Sequence, residues 1–152
     1  MDYEIVELES FIVQAMKRRT TNENNLATND IKALWDKFYK ENISKKISHK
    51  KSSDILALFT EYEKDYFKSY TYYLGHKLKK TGLRSKDLYF LVVPKGKYAV
   101  IEVSEPFPDS IFNAWNNIWN SDIKRAYTVD YEVYGPEYFR EKEKSMKIYL
   151  SI

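Results

Sequence analysis

The chain has 152 residues and no cysteine. Disulfides, thiolate metal sites and cysteine nucleophiles are therefore excluded, and the composition suits a reducing cytoplasm. Histidine is nearly as scarce. Only His49 and His76 occur, far apart, so neither a metal centre nor a metal cofactor is expected. No other cofactor is expected. No apolar run approaches the length that spans a bilayer, and no membrane association is expected. The start, Met1-Asp2-Tyr3-Glu4, is acidic and leads straight into an amphipathic strand, which is not the pattern of a secretory signal. Net charge is only +3. The basic residues gather in Lys45, Lys46, Lys50 and Lys51, then in Lys77, Lys79, Lys80, Arg84 and Lys86. They lack the pattern of a DNA-recognition helix and read as solvated loops.

Aromatic side chains are what the chain has in excess. It carries 14 Tyr, 8 Phe and 3 Trp, 16% of all residues, against roughly 8% in an ordinary soluble domain. A tyrosine tip wants water or a hydrogen-bond partner. An excess of tyrosine over phenylalanine fits a wet, aromatic-lined cavity better than a dry core. The length suffices for one domain, residues 1–152, with a core of its own.

Residues 3–8 and 11–19 read as extended, with Phe11, Val13 and Ala15 alternating against Ile12, Gln14 and Met16. After a polar connector, Thr28 or Asn29 is the expected helix cap, with Asp30 in the first turn. Ile31, Leu34, Trp35, Phe38 and Tyr39 then form a one-sided helical stripe. Residues 54–63 and 70–78 read as strands, and Gly75 marks either a bulge or a close approach of another backbone. In the second half, residues 88–93 and 98–103 read as strands. Pro106, Pro108 and Asp109 lie at a helix start, and Ile111, Trp115, Ile118, Trp119 and Asp122 share one helical face. A strand around Glu132, a charged loop through Lys144 and a final strand over 146–152 complete the chain. Each half therefore reads strand, helix, strand, strand, roughly over 9–79 and 97–152. The expected class is α+β with pseudo-twofold symmetry, in which two antiparallel sheets meet, two main helices cover one side, and a central cleft is the default ligand site.

Glu132 lies in Tyr131-Glu132-Val133-Tyr134-Gly135-Pro136-Glu137, an alternating strand closed by a Gly-Pro turn. Glu132 and Tyr134 share one face, Tyr131 and Val133 the other. A carboxylate beside a tyrosine on a partly apolar face can attract a greasy cation or serve as a general base; a half-exposed surface glutamate is the plain alternative. Trp115 reads equally as core or pocket, Trp119 as pocket, and Trp35, in mid-stripe, as core. Tyr62, Tyr70 and Tyr72 surround a strand-strand loop. Tyr70 and Tyr72 share a face with Leu74 that is either core or cavity, and His76 continues it as a structural residue. Glu61, Glu63 and Glu137 read as surface.

Five stretches, in this order and spacing, resemble the GyrI-like effector-binding domains: Phe11-Ile12-Val13 with Arg18-Arg19-Thr20; Ile31 through Phe38 with Leu34-Trp35; Thr60-Glu61-Tyr62 followed by Tyr70-Thr71-Tyr72-Tyr73-Leu74-Gly75; Pro94-Lys95-Gly96-Lys97-Tyr98; and Tyr131-Glu132-Val133-Tyr134-Gly135-Pro136. Such domains are the ligand modules of AraC-type and MerR-type multidrug regulators and also stand alone, as in integron-cassette effector-binding proteins. The resemblance spans nearly the whole chain. It implies a tandem strand-helix-strand-strand fold and an aromatic groove with one glutamate, at the position of Glu132. Tyr62, Tyr70, Tyr72, Trp115, Trp119, Glu132 and Tyr134 would then line a site for hydrophobic, cationic or aromatic compounds of the multidrug type. Some stand-alone relatives open strained electrophilic rings in this groove; there Glu132 would be the general base, with Tyr134 or Tyr62 orienting water or donating a proton. Another branch inhibits DNA gyrase by direct contact, although nothing here singles out such a surface. No DNA-binding segment precedes Met1-Asp2-Tyr3, so direct DNA binding is not expected.

Overall fold

Strict alternation builds the longest strand. In β2 (Phe11–Thr21), Phe11, Val13 and Ala15 point to one side of the sheet and Ile12 and Met16 to the other. The computed structural model describes residues 1–104, 109–135, 138 and 145–152. The expectations for Pro106, Pro108, Pro136, Glu137 and the charged loop through Lys144 lie outside them. In chain order the described elements are β1 (Glu4–Leu8), β2, α1 (Leu26–Lys40), α2 (Ile43–Lys46), β3 (Ile55–Thr60), β4 (Ser69–Lys77), β5 (Tyr89–Val93), β6 (Gly96–Val103), α3 (Asp109–Trp119), β7 (Val129–Tyr134) and β8 (Met146–Ser151). The fold is α+β, with two strand-helix-strand-strand units, β2-α1-β3-β4 and β6-α3-β7-β8.

The two three-stranded sheets meet edge to edge. Their joint is the antiparallel pair β3–β7, in which Ala57 faces Glu132 and Leu58 faces Tyr131. One eight-stranded antiparallel sheet results, ordered β1-β6-β8-β7-β3-β4-β2-β5. That order is palindromic in the repeats: β7 mirrors β3, β8 mirrors β4, and β6 mirrors β2. The outer strands are exchanged, because β1 precedes the first unit but pairs with β6, while β5 precedes the second unit but pairs with β2.

Both faces of the sheet are apolar. On one, Leu34 and Phe38 of α1 and Ile118 of α3 pack with Tyr70, Tyr72, Leu74, Tyr134 and Ile148. On the other, Val13, Ala15, Leu56, Leu58, Tyr98 and Tyr131 form a second cluster, and Tyr131 stacks on Tyr149 at 4.5 Å between ring centroids. The tyrosine excess is thus divided between the two faces. Of the basic residues, Lys51, Lys79 and Lys80 are exposed, in keeping with solvated loops.

Local chemistry moves several boundaries. Helix α1 starts before Thr28: Asn24 and Asn25 adopt left-handed φ values of 54° and 58°, which asparagine tolerates, and Asn25 occupies the cap position without a side-chain hydrogen bond. Asp30 is therefore not a first-turn residue; it pairs with Arg18 at 2.9 Å and accepts from the Thr20 hydroxyl at 2.7 Å. Strand β3 stops at Thr60 because Glu61 takes a φ of 53°. Asp122 falls beyond the end of α3 and is exposed. The basic stretch after α1 contains the short helix α2. Its Ser44 hydroxyl lies 2.7 Å from His76 Nε2, while His76 Nδ1 meets the Asp54 carbonyl at 2.8 Å. Buried and bonded on both sides, His76 is structural, and burial lowers its pKa.

Candidate functional site

The repeats bring β4, β3 and β7 side by side at the middle of the sheet, with α1 and α3 standing over that floor. Between them lies a cavity of about 400 Å³, within the size range of small-molecule sites. Phe59, Tyr70, Tyr72, Glu132 and Tyr134 form its floor; Ile31 and Trp35 of α1 form one wall and Trp115 and Trp119 of α3 the other. Tyr62 and Tyr66 line it from the β3–β4 connection, and Arg125 from the segment before β7. Phe112, also part of the lining, is 65% exposed.

All seven residues singled out in the sequence surround this one space: Tyr62, Tyr70, Tyr72, Trp115, Trp119, Glu132 and Tyr134. Tyr70 and Tyr72 are at once buried in the core and part of the cavity floor. Trp35, expected as plain core, is in the wall as well, and its Nε1 donates to the Tyr72 hydroxyl at 2.9 Å. Phe59 is central, with centroid distances of 5.2 Å to Tyr72 and 5.1 Å to Trp115. Tyr66 stacks on Trp119 at 5.3 Å. Phe59, Tyr66 and Arg125 line the cavity as well, and so does Ile31, the first residue of the apolar stripe. Strand parity from Tyr70 and Tyr72 through the β3–β4 pair would have found Phe59. Arg125 sits in an irregular segment with no periodic signal.

Glu132 is the sole carboxylate in the lining among the described residues. It is only 4% exposed. Trp115 Nε1 donates to its Oε2 at 2.8 Å, and the Tyr134 hydroxyl donates to its Oε1 at 2.9 Å. Burial pushes the carboxyl up to about 7, and those two bonds pull the other way without cancelling it. Burial, reinforced by Glu132, holds the hydroxyls of Tyr72 and Tyr134 well above the usual tyrosine range, so both stay neutral. Among the described residues, no ion pair reaches Glu132. The two cations in the lining are engaged elsewhere, Lys32 with Asp36 at 3.4 Å and Arg125 with Asp130 at 2.6 Å.

Such an arrangement has the makings of a receptor: a buried negative site, held by two donors, among rings that offer flat area and electron-rich faces. The family described as integron-associated effector binding protein matches residues 4–152. The chain belongs to that family. An integron cassette protein from the mobile metagenome of Vibrio cholerae shares its fold, with a TM-score of 0.76 and 27% identity over 98% of this chain and 94% of that one. The protein SAV2435, solved with bound tetraphenylphosphonium, superposes with a TM-score of 0.78 at 18% identity over 99% of this chain and 93% of its own. In sequence, YobU of Bacillus subtilis, named as a candidate transcriptional regulator, is 26% identical over 142 residues, covering 90% of this chain and 89% of YobU. An effector-binding family thus shares the architecture that forms the aromatic cavity here.

Proposed function

We propose that the protein binds a hydrophobic organic cation in this cavity, with Glu132 as countercharge and the surrounding rings as contact surface. One observation carries the reading: a buried carboxylate with no ion-pair partner among the described residues sits in an aromatic cavity of about 400 Å³. Leaving such a charge unpaired is costly, so the site favours a ligand that brings the opposite charge. Each ring facing that cation adds from about 0.5 kcal/mol when solvated to about 2 kcal/mol when desolvated. SAV2435, which has the same fold, was solved with tetraphenylphosphonium, a ligand of this chemical type.

A second reading is hydrolysis of an electrophilic small molecule. The observation in its favour is that the Glu132 carboxyl titrates near 7, beside the Tyr134 hydroxyl. Both its oxygens already accept hydrogen bonds, from Trp115 and Tyr134. That favours a fixed charge over a base that must receive a proton from water. A thermal-shift screen of cationic dyes and of neutral epoxides, with product analysis of every hit, separates the two. The proposal expects stabilisation by the cations without turnover. Turnover of the epoxides would establish the hydrolase instead, and no shift with either class would refute both.

A further inference from the structure

Asp130 and Arg125 form a second polar group at the cavity, and its two members are unequally satisfied. Asp130, fully buried on β7, accepts from the Ser151 backbone N–H at 2.9 Å, the Ser151 hydroxyl at 3.1 Å, the Tyr62 hydroxyl at 2.5 Å and Arg125 Nη2 at 2.6 Å. The Arg125 side chain is 4% exposed, yet its Nε and Nη1 have no hydrogen-bond partner among the described residues. Both atoms are covered by neighbouring side chains; buried guanidinium donors are normally paired, so two unpaired ones behind the cavity wall demand a reason.

The surroundings hold the guanidinium in place. Its centre lies 4.3 Å from the Tyr127 ring centroid and 5.9 Å from that of Trp115. Ring faces are weak acceptors and do not replace an oxygen. Tyr127 has a φ of 56°, a left-handed conformation that costs energy in a tyrosine, and Ala126 N–H is tied to the Ser151 carbonyl at 2.8 Å. Such strain, held by a strand, is a feature of built sites. The same Trp115 that touches Arg125 donates to Glu132. One indole therefore separates the two polar ends of the cavity.

We propose that Arg125 is the second anchor of the cavity, and that it recognises a neutral hydrogen-bond acceptor oxygen, a carbonyl or sulfonyl, on the same ligand whose cationic end lies at Glu132. The proposal rests on the cation-binding reading. The acceptor is neutral because the Arg125–Asp130 pair carries no net charge. One N–H of Nη2 is taken by Asp130, and the oxygen takes Nε or Nη1, which the Tyr127 and Trp115 rings uncover by turning aside. The ligand class is accordingly an amphiphilic cation with a carbonyl-type group about one aromatic ring from its charge.

The test uses a matched pair of probes, (4-acetylphenyl)triphenylphosphonium and (4-ethylphenyl)triphenylphosphonium, titrated calorimetrically into the full chain. The acetyl probe is expected to bind about tenfold more tightly, the worth of one hydrogen bond to a charged donor. Arg125→Lys keeps the charge beside Asp130 and removes Nε and Nη1. It should bring the ratio to about one; the ratio is read within the variant, so any change common to both probes cancels. If that variant does not fold, the wild-type ratio and the NMR signal of the Arg125 Nε proton decide. That signal should move downfield with the acetyl probe only. Equal affinities in the wild type, or a ratio that survives Arg125→Lys, would overturn the assignment while leaving cation binding intact. Failure of both probes to bind would refute the cation-binding reading, and the Arg125 anchor with it.

Discussion

At the scale of the residue, the role proposed for Glu132 couples ligand binding to pH. Its carboxyl holds a proton up to about pH 7 in the folded protein, whereas an ordinary glutamate loses it near 4.5. Between those values the native state binds more protons than the unfolded chain, so stability falls as pH rises through that window and is level above it. The full loss is about 3 kcal/mol. Urea unfolding at pH 5 and pH 8 should therefore show Glu132→Gln gaining on the wild type at the higher pH; parallel behaviour of the two proteins would contradict the buried-carboxyl description. Binding of a permanent cation should follow the same titration, weakening about tenfold per pH unit below 7 and levelling off above. Trp115→Phe removes one of the two bonds that favour the carboxylate. The midpoint of that profile should then move up by about one pH unit. A midpoint that stayed in place would mean that the indole contributes area alone.

At the scale of the element, Gly75 shows what the sequence carried and what it could not resolve. A glycine inside an alternating strand signals either a bulge or a close neighbour. The ladder runs through Gly75 without interruption, opposite Ala15 on one side and Leu56 on the other. A Cβ there would lie 2.0 Å from the Gln14 carbonyl oxygen and 2.6 Å from Ala15 Cα. Backbone, unlike a side-chain tip, cannot step aside, so Gly75→Ala should cost about 3 kcal/mol or more, read from denaturant midpoints. A near-neutral result would mean that β2 and β4 are further apart than described. Strands and helices were legible because period two and period three to four are written in the apolar positions. The faces of Glu132, Tyr134, Tyr70 and Tyr72 followed from parity alone. Caps and corners were not legible: Asn24, Asn25 and Glu61 adopt left-handed φ values that no hydrophobic pattern announces. The Arg125–Asp130 pair escaped for the same reason, since it joins an irregular segment to a strand.

At the scale of the whole molecule, the exchange of outer strands ties the halves together. β1 completes the edge of the second unit and β5 that of the first. The cavity draws its walls from both units, so neither half contains a site. The chain is expected to unfold in one step, with far-UV circular dichroism and tryptophan fluorescence following a single transition. Trp35 reports from the first unit and Trp115 and Trp119 from the second, which makes the probe sensitive to either half melting alone. Two separated transitions would show that the continuous sheet does not act as one unit. The duplication was readable from the repeated order of elements, but the exchange was not, because adjacency in sequence predicts pairing of β1 with β2.

The most direct test of the central claim is the affinity of wild type and Glu132→Gln for tetraphenylphosphonium, measured by calorimetry at pH 8 with neutral triphenylphosphine oxide as the control. The substitution keeps the shape of the side chain and removes its charge. Binding of the cation should weaken at least about tenfold, the effect of losing a desolvated countercharge, while binding of the phosphine oxide should change by no more than about twofold. Equal affinity of both proteins for the cation would contradict the role of Glu132 as the countercharge of the cavity.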